Sequence, residues 1–228
     1  MPKPHLALLA ALIAAFGVSQ FSGHINPYHL DVLIGVGINV ILAVSLNLVN
    51  GYAGQFSLGH AGFMSVGAYF AAAVSLFVVP SLLGASPAGP LVQGASFLAA
   101  LFAGGLGAAL AGLCVGVPSL RLKGDYLALV TLGFGEIIRV IFQNVDGLGG
   151  ALGLNRIPAY TTIFWVLAFV ALTVFVVTSL VHSTYGRGFL ATRDDEIASE
   201  AIGLNPTRYK IVAFVVGAFF AGIAGGLY

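Results

Sequence analysis

Charge is what this sequence has least of. Nine basic and eight acidic residues stand among 228, or 7%, where a soluble domain carries roughly 25%. So few charges cannot cover a folded surface in water, which excludes an ordinary soluble domain. The net charge of +1 leaves no electrostatic footprint for nucleic acid, and none is expected as a partner. Cysteine is almost absent too. Cys114 stands alone inside an apolar run, so no disulfide can form within the chain, and its thiol is read as inert and buried.

Several chemical signatures are also missing. No G-x-x-x-x-G-K-[ST] loop occurs and no lysine has a glycine-rich setting, so this chain is not expected to bind ATP. There is no H-E-x-x-H, no G-x-S-x-G and no nucleophile–base set, which argues against an intramembrane enzyme. No catalytic, cofactor-binding or metal-binding residue is therefore assigned; His60 has no second histidine at ligand spacing.

What is there is hydrophobic: 59% of the residues, with a mean hydropathy of +1.01. Seven apolar segments, roughly 6–22, 30–49, 58–79, 92–117, 126–144, 161–181 and 211–228, approach the length of a bilayer crossing. Each outlasts the ~9–11 residues of a barrel strand. The expectation is an all-α, polytopic bundle of about seven transmembrane helices, forming a single domain over 1–228. The first segment, behind Lys3, also fits a signal peptide; a first span would serve the same targeting purpose. A cytoplasmic N-terminus puts Lys3, Arg121, Lys123, Arg187, Arg193, Arg208 and Lys210 inside and only Arg156 outside, as the positive-inside rule asks. The last segment runs to Tyr228 without a polar flank, as in a chain cut from a longer one. "LFAGGLGAAL" and "FFAGIAGGLY" resemble each other, which small residues lining helix contacts explain without an internal repeat.

Three places depart from plain apolar helix. The first is "GYAGQFSLGHAGFMSVGAY", residues 51–69, with five glycines, two serines, a glutamine and a histidine. Irregular backbone at membrane depth is tolerated only under cover of protein or beside water. One reading is a small-residue packing seam at Ser57, Ala61 and Ser65. The other is a helix broken near 51–60, whose Gly51, Gly54, Gln55, Ser57, Gly59 and His60 line a solute path. The second place is "GFGEIIRV". Glu136 and Arg139 share a helical face, and Glu136 lies roughly 15 Å into its span, near mid-bilayer. A lone charge there is costly, so both are expected to face the bundle interior and pair; a proton relay or gating contact, or Arg139 snorkelling outward, are the other readings.

The third is the loop 182–210, which holds eight of the charged residues. "TRDDEIASEAIG" predicts a short helix capped by Thr192 with Asp195 three residues on, and stopped by Gly203 and Pro206. Ile197, Ala198, Ala201 and Ile202 would fall on one face, with Asp194, Asp195, Ser199 and Glu200 largely on the other. Surface-lying helices are rich in lysine and arginine to meet anionic lipid. This one has four acids and Arg193, so its apolar stripe is assigned to a protein groove rather than to lipid.

"NLVNGYAGQFSLGHAGFMSVGAY", "LRLKGDYLALVTLGFGEIIRV" and "ATRDDEIASEAIGLNPTRYKIVAFVVGAFFAGIAGGLY" together resemble the permease subunits of bacterial branched-chain amino-acid ABC importers, more narrowly the LivM type. The resemblance implies an ATPase-coupling segment at Arg193, Asp194, Asp195, Glu196, Ile197, Glu200, Ala201, Ile202 and Gly203, with Glu200, Ala201 and Gly203 matching the family's E-A…G motif at shortened spacing. It implies two ABC ATPase subunits that bind ATP and magnesium, a second, homologous permease and an extracytoplasmic solute-binding protein. The expected setting is the bacterial inner membrane, and the expected solute leucine, isoleucine or valine, with other amino acids, urea and short amides carried by relatives. Outside that family, a self-sufficient secondary transporter or channel would use Glu136 and Arg139 as its ion site.

Overall fold

A chain this apolar has to satisfy its backbone polar groups within each segment. The computed structural model describes residues 4–83, 89–119, 125–155 and 157–228, and every regular element among them is helical. The long helices are α1 (Pro4–Phe21), α2 (Pro27–Asn47), α3 (His60–Ala73), α5 (Pro90–Ser119), α6 (Asp125–Asn144), α7 (Ile163–Val181) and α10 (Pro206–Leu227). Between them stand the short α4 (Val79–Leu83), α8 (Thr184–Asp194) and α9 (Glu196–Ala201). A π-helical turn, Leu48–Tyr52, extends α2, and another, Val74–Val78, joins α3 to α4.

All seven expected apolar segments are thus helices. Six of them are long and apolar enough to cross a membrane; the apolar stretch of α1, His5–Phe21, is shorter. Their starts follow local chemistry. Pro27 and Pro206 open α2 and α10 where no helical N–H is needed, and the side chains of Asn26 and Asn205 accept from Tyr28 N and Arg208 N.

The centre of the bundle is α10, of which 67% of the spanning stretch is buried. It packs on α5, α3 and α2. The two sequences that resemble each other meet here: Gly222 lies against Ala108 and the Gly104 carbonyl, and Gly226 against Leu101. Gly67 of α3 approaches the backbone of Gly222 so closely that a Cβ would overlap it. Without a water-driven hydrophobic force, such close backbone approach is how helices in lipid gain contact energy. Around this seam Ile38, Ile41, Phe97, Val166, Phe169 and Ile223 fill one core, and Phe63 meets Phe214 edge-on at 5.3 Å in another. The outer layer is α1, packed on α7.

Two expectations need amendment. Cys114 is exposed on α5 rather than buried, because the face of α5 turned to α10 is taken by glycine and alanine. Lys3, Arg121, Lys123 and Arg156, four of the charges behind the expected orientation, lie outside the described residues.

Candidate functional site

The chain leaves α2 through its π-turn and does not resume a helix until His60, so residues 53–59 interrupt two spans at their junction. Gly54 sits at φ +66°, where a side chain is strained, and a Cβ there would meet Arg193 Cγ at 2.6 Å. The freed backbone is re-satisfied locally. Gln55 N donates to the Val49 carbonyl (3.0 Å), Ser57 N to Asn50 Oδ1 (3.2 Å) and Leu58 N to Thr131 Oγ1 on α6 (3.0 Å). Gln55, Ser57 and His60 are all buried, and His60 Nε2 lies 2.8 Å from Ser45 Oγ. The Ser45 hydroxyl also lies 3.0 Å from the Leu42 carbonyl; with its one proton there, His60 is the donor through Nε2. Ser57 Oγ is buried without a hydrogen-bond partner among the described residues.

Residues 53–59 are thus a non-helical break between two full-length spans, Pro27–Tyr52 and His60–Ser81, rather than within one span. The alternative seam does not form: Ser57 precedes the helix, and α3 turns Gly62, Phe63, Val66 and Gly67 inward instead of Ala61 and Ser65. Gly59 and Gly62 face α6, where a Cβ would meet the Thr131 carbonyl at 2.5 Å and Gly135 Cα at 3.1 Å. The break and α6 are consequently held as one unit, with Tyr69 stacked on Phe142 (centroids 4.0 Å apart) further along.

The expected single helix over 192–202 is two helices. Thr192 does not cap; it is buried inside α8, its hydroxyl donating to the Gly188 carbonyl (2.9 Å). Asp195 ends α8 in an extended conformation and caps α9, its Oδ1 accepting from Ile197 N (2.9 Å) and Ala198 N (3.0 Å). The physical reason is packing. Phe189 is fully buried and meets the Tyr209 ring edge-on, which draws the following turn into α8. Arg193 and Asp194 thus belong to α8. Gly203, at φ +88°, stops α9 while the Leu204 and Gly203 amides close on the Ser199 and Glu200 carbonyls.

This elbow is fastened twice. Arg193 Nη1 donates to the Gly51 carbonyl (3.2 Å) while its Nε and Nη2 hold Asp194 Oδ1 (2.9 and 2.8 Å). Glu196 accepts from Lys210 Nζ (2.9 Å), and the Lys210 side chain is 6% exposed. Ser199 faces inward. The apolar residues face outward: Ile197 and Ile202 are 74% and 76% exposed, and Ala198, Glu200 and Ala201 are exposed beside them. Nothing in the linear sequence announced the Arg193–Gly51 contact, which joins residues 142 positions apart.

Glu136 and Arg139 do pair, at 3.3 Å, but they do not face the bundle interior. Their side chains are 60% and 64% exposed, because α6 packs with Leu127, Ala128 and Thr131 inward and so turns Glu136 to the opposite side. On insertion scales a charge at the centre of a spanning helix costs about 2.5–3.5 kcal/mol, so bare lipid is a poor neighbour for this face.

The family described as "Branched-chain amino acid transport system / permease component" matches residues 28–228. The high-affinity branched-chain amino acid transport system permease protein LivM of Salmonella typhimurium is 38% identical, over 59% of this chain and 40% of the relative. The protein of that name from Escherichia coli gives the same figures. A probable branched-chain amino acid transport permease protein LivM from Methanocaldococcus jannaschii is 29% identical, over 49% of this chain and 36% of the relative. The match thus spans less than half the length of these curated relatives. No solved structure matches this chain.

Proposed function

The chain belongs to the branched-chain amino acid transport permease family, and on that premise we propose that it forms the membrane-embedded part of an ATP-driven importer for branched-chain or related small amino acids. It acts as a transporter subunit rather than an enzyme. ATP and magnesium are bound by two ATPase subunits on the cytoplasmic side, a second, homologous permease completes the pathway, and an extracytoplasmic binding protein delivers the solute. The setting is a bacterial inner membrane with the N-terminus inside.

The observation that carries this reading is the Arg193 bridge. An elbow with an outward apolar face at Ile197 and Ile202 suits a groove on a partner protein, and Arg193 ties that elbow to Gly51, in the π-turn at the edge of the break. When the ATPases close on ATP, they push the elbow, and the push reaches residues 51–60 directly. Leu58 and Thr131 pass it on to α6. The break, where Gly51, Gly54, Gln55, Ser57, Gly59 and His60 lie, supplies backbone that shifts without unfolding a regular span.

The test is leucine accumulation in vesicles holding the complete transporter. Accumulation should require ATP and stop when the partner ATPase is inactivated by substitution. Uptake that continues undiminished with the inactive ATPase overturns the proposal.

A further inference from the structure

Glu136 and Arg139 are an ion pair with capacity to spare. A carboxylate offers about four lone pairs and a guanidinium five N–H donors. Among the described residues each uses one contact, to the other, at 3.3 Å. The pair lies on the open face of the least covered span, of which 17% is buried. Counted at 1.5 Å per residue, Glu136 stands about 16 Å from one end of α6 and about 12 Å from the other. Lipid at such a depth completes neither shell, so this face calls for a path that admits polar molecules.

The surroundings are selective. Leu129, Leu132 and Val140 flank Glu136 on the same face, all exposed. Gly133, one turn before Glu136, leaves open space where a side chain would stand. An open aliphatic face carrying one negative and one positive head side by side is complementary to a molecule with both charges and an aliphatic branch. By contrast, a cavity of about 440 Å³ includes Ala68, Ser75, Phe97, Ile157 and Tyr228 in its lining. Among the described residues its lining is mostly apolar and carries no charged side chain, a poor substitute for the hydration of a zwitterion's two charges.

We propose that Glu136 and Arg139 form the polar half of a transient site for a zwitterionic aliphatic amino acid on the exposed face of α6. This rests on the transport function proposed above and names the contact made along the way. Glu136 takes the α-ammonium and Arg139 the α-carboxylate, the latter through the paired N–H fork that matches a carboxylate. The amino acid completes both hydrogen-bonding shells, and its side chain lies along Leu132 and Val140. A site open on one side holds its ligand weakly, which suits a pathway.

The experiment uses the complete transporter with the exposed Cys114 replaced (C114A) and a probe cysteine at Val140→Cys, leaving the pair intact. A charged, membrane-impermeant methanethiosulfonate should label the probe. Leucine should slow labelling several-fold, whereas its keto acid, which lacks the ammonium, and isopentylamine, which lacks the carboxylate, should not. Adding E136Q and R139Q together should abolish the protection and raise the KM for leucine at least tenfold. Because neutral residues are easier to bury in a membrane, that double variant should still assemble. A transporter that accumulates leucine while its probe resists the reagent, or labels at the same rate with leucine, overturns this site alone. A parent transporter that accumulates no leucine overturns the functional reading on which it depends.

Discussion

Lys210 and Glu196 are unequal partners, and the inequality has a measurable sign. Lys210 is almost wholly covered where α10 enters the bundle, whereas the Glu196 side chain keeps 29% of its surface exposed. Removing the carboxylate strands a covered ammonium; removing the ammonium leaves a carboxylate that water still reaches. E196A should therefore lower the unfolding free energy by about 3–5 kcal/mol. K210M should lower it by about 1 kcal/mol, the net value of a hydrogen bond. The double variant should cost less than the two single effects combined. Thermal unfolding of the detergent-solubilised protein checks this, and equal effects of the two single changes would refute the asymmetry.

At the scale of elements, α9 is a short helix held by a cap at one end, a glycine stop at the other and an ion pair beneath. Its isoleucines contribute nothing to that hold. I197S with I202S should leave the unfolding free energy within about 0.5 kcal/mol, as exposed substitutions do. In the proposed importer, co-purification of a partner ATPase with the same variant should fall at least tenfold; undiminished co-purification would remove α9 from the docking surface. How far such elements were legible in the sequence depended on what decided them. The long helices and the stop at Gly203 were legible because length, hydropathy and glycine conformation are local. The boundary between α8 and α9 was not: Thr192 and Asp195 are both good caps three residues apart, and the choice fell to Phe189 and Tyr209 packing from elsewhere. The pairing of Glu136 with Arg139 was readable from their spacing. Its outward direction was not, because that depends on which neighbours cover α6. The Arg193 tether had no local signal at all.

For the whole molecule, the glycine-to-glycine contact of α3 with α10 sets how closely the central helices stand. G222V should force α5 away from α10, as a side chain at Gly67 would force α3, and destabilise the bundle by at least about 2 kcal/mol, in the manner of overpacked cores. The same change at Gly17 of α1, where open space surrounds the position, should not destabilise it. Detergent unfolding midpoints compare the two, and similar losses would contradict the seam's central place. The elbow of α8 and α9 adds one last consequence, because it is fastened on two sides: through Arg193 to the edge of the break and through Glu196 to the central helix. Such an arrangement is a yoke rather than a single rod, dividing one stroke between a pliable arm and a stiff one. Cutting the pliable arm with R193A leaves the stiff one pulling, so in the proposed importer fuel would still be burned while the cargo stayed where it was.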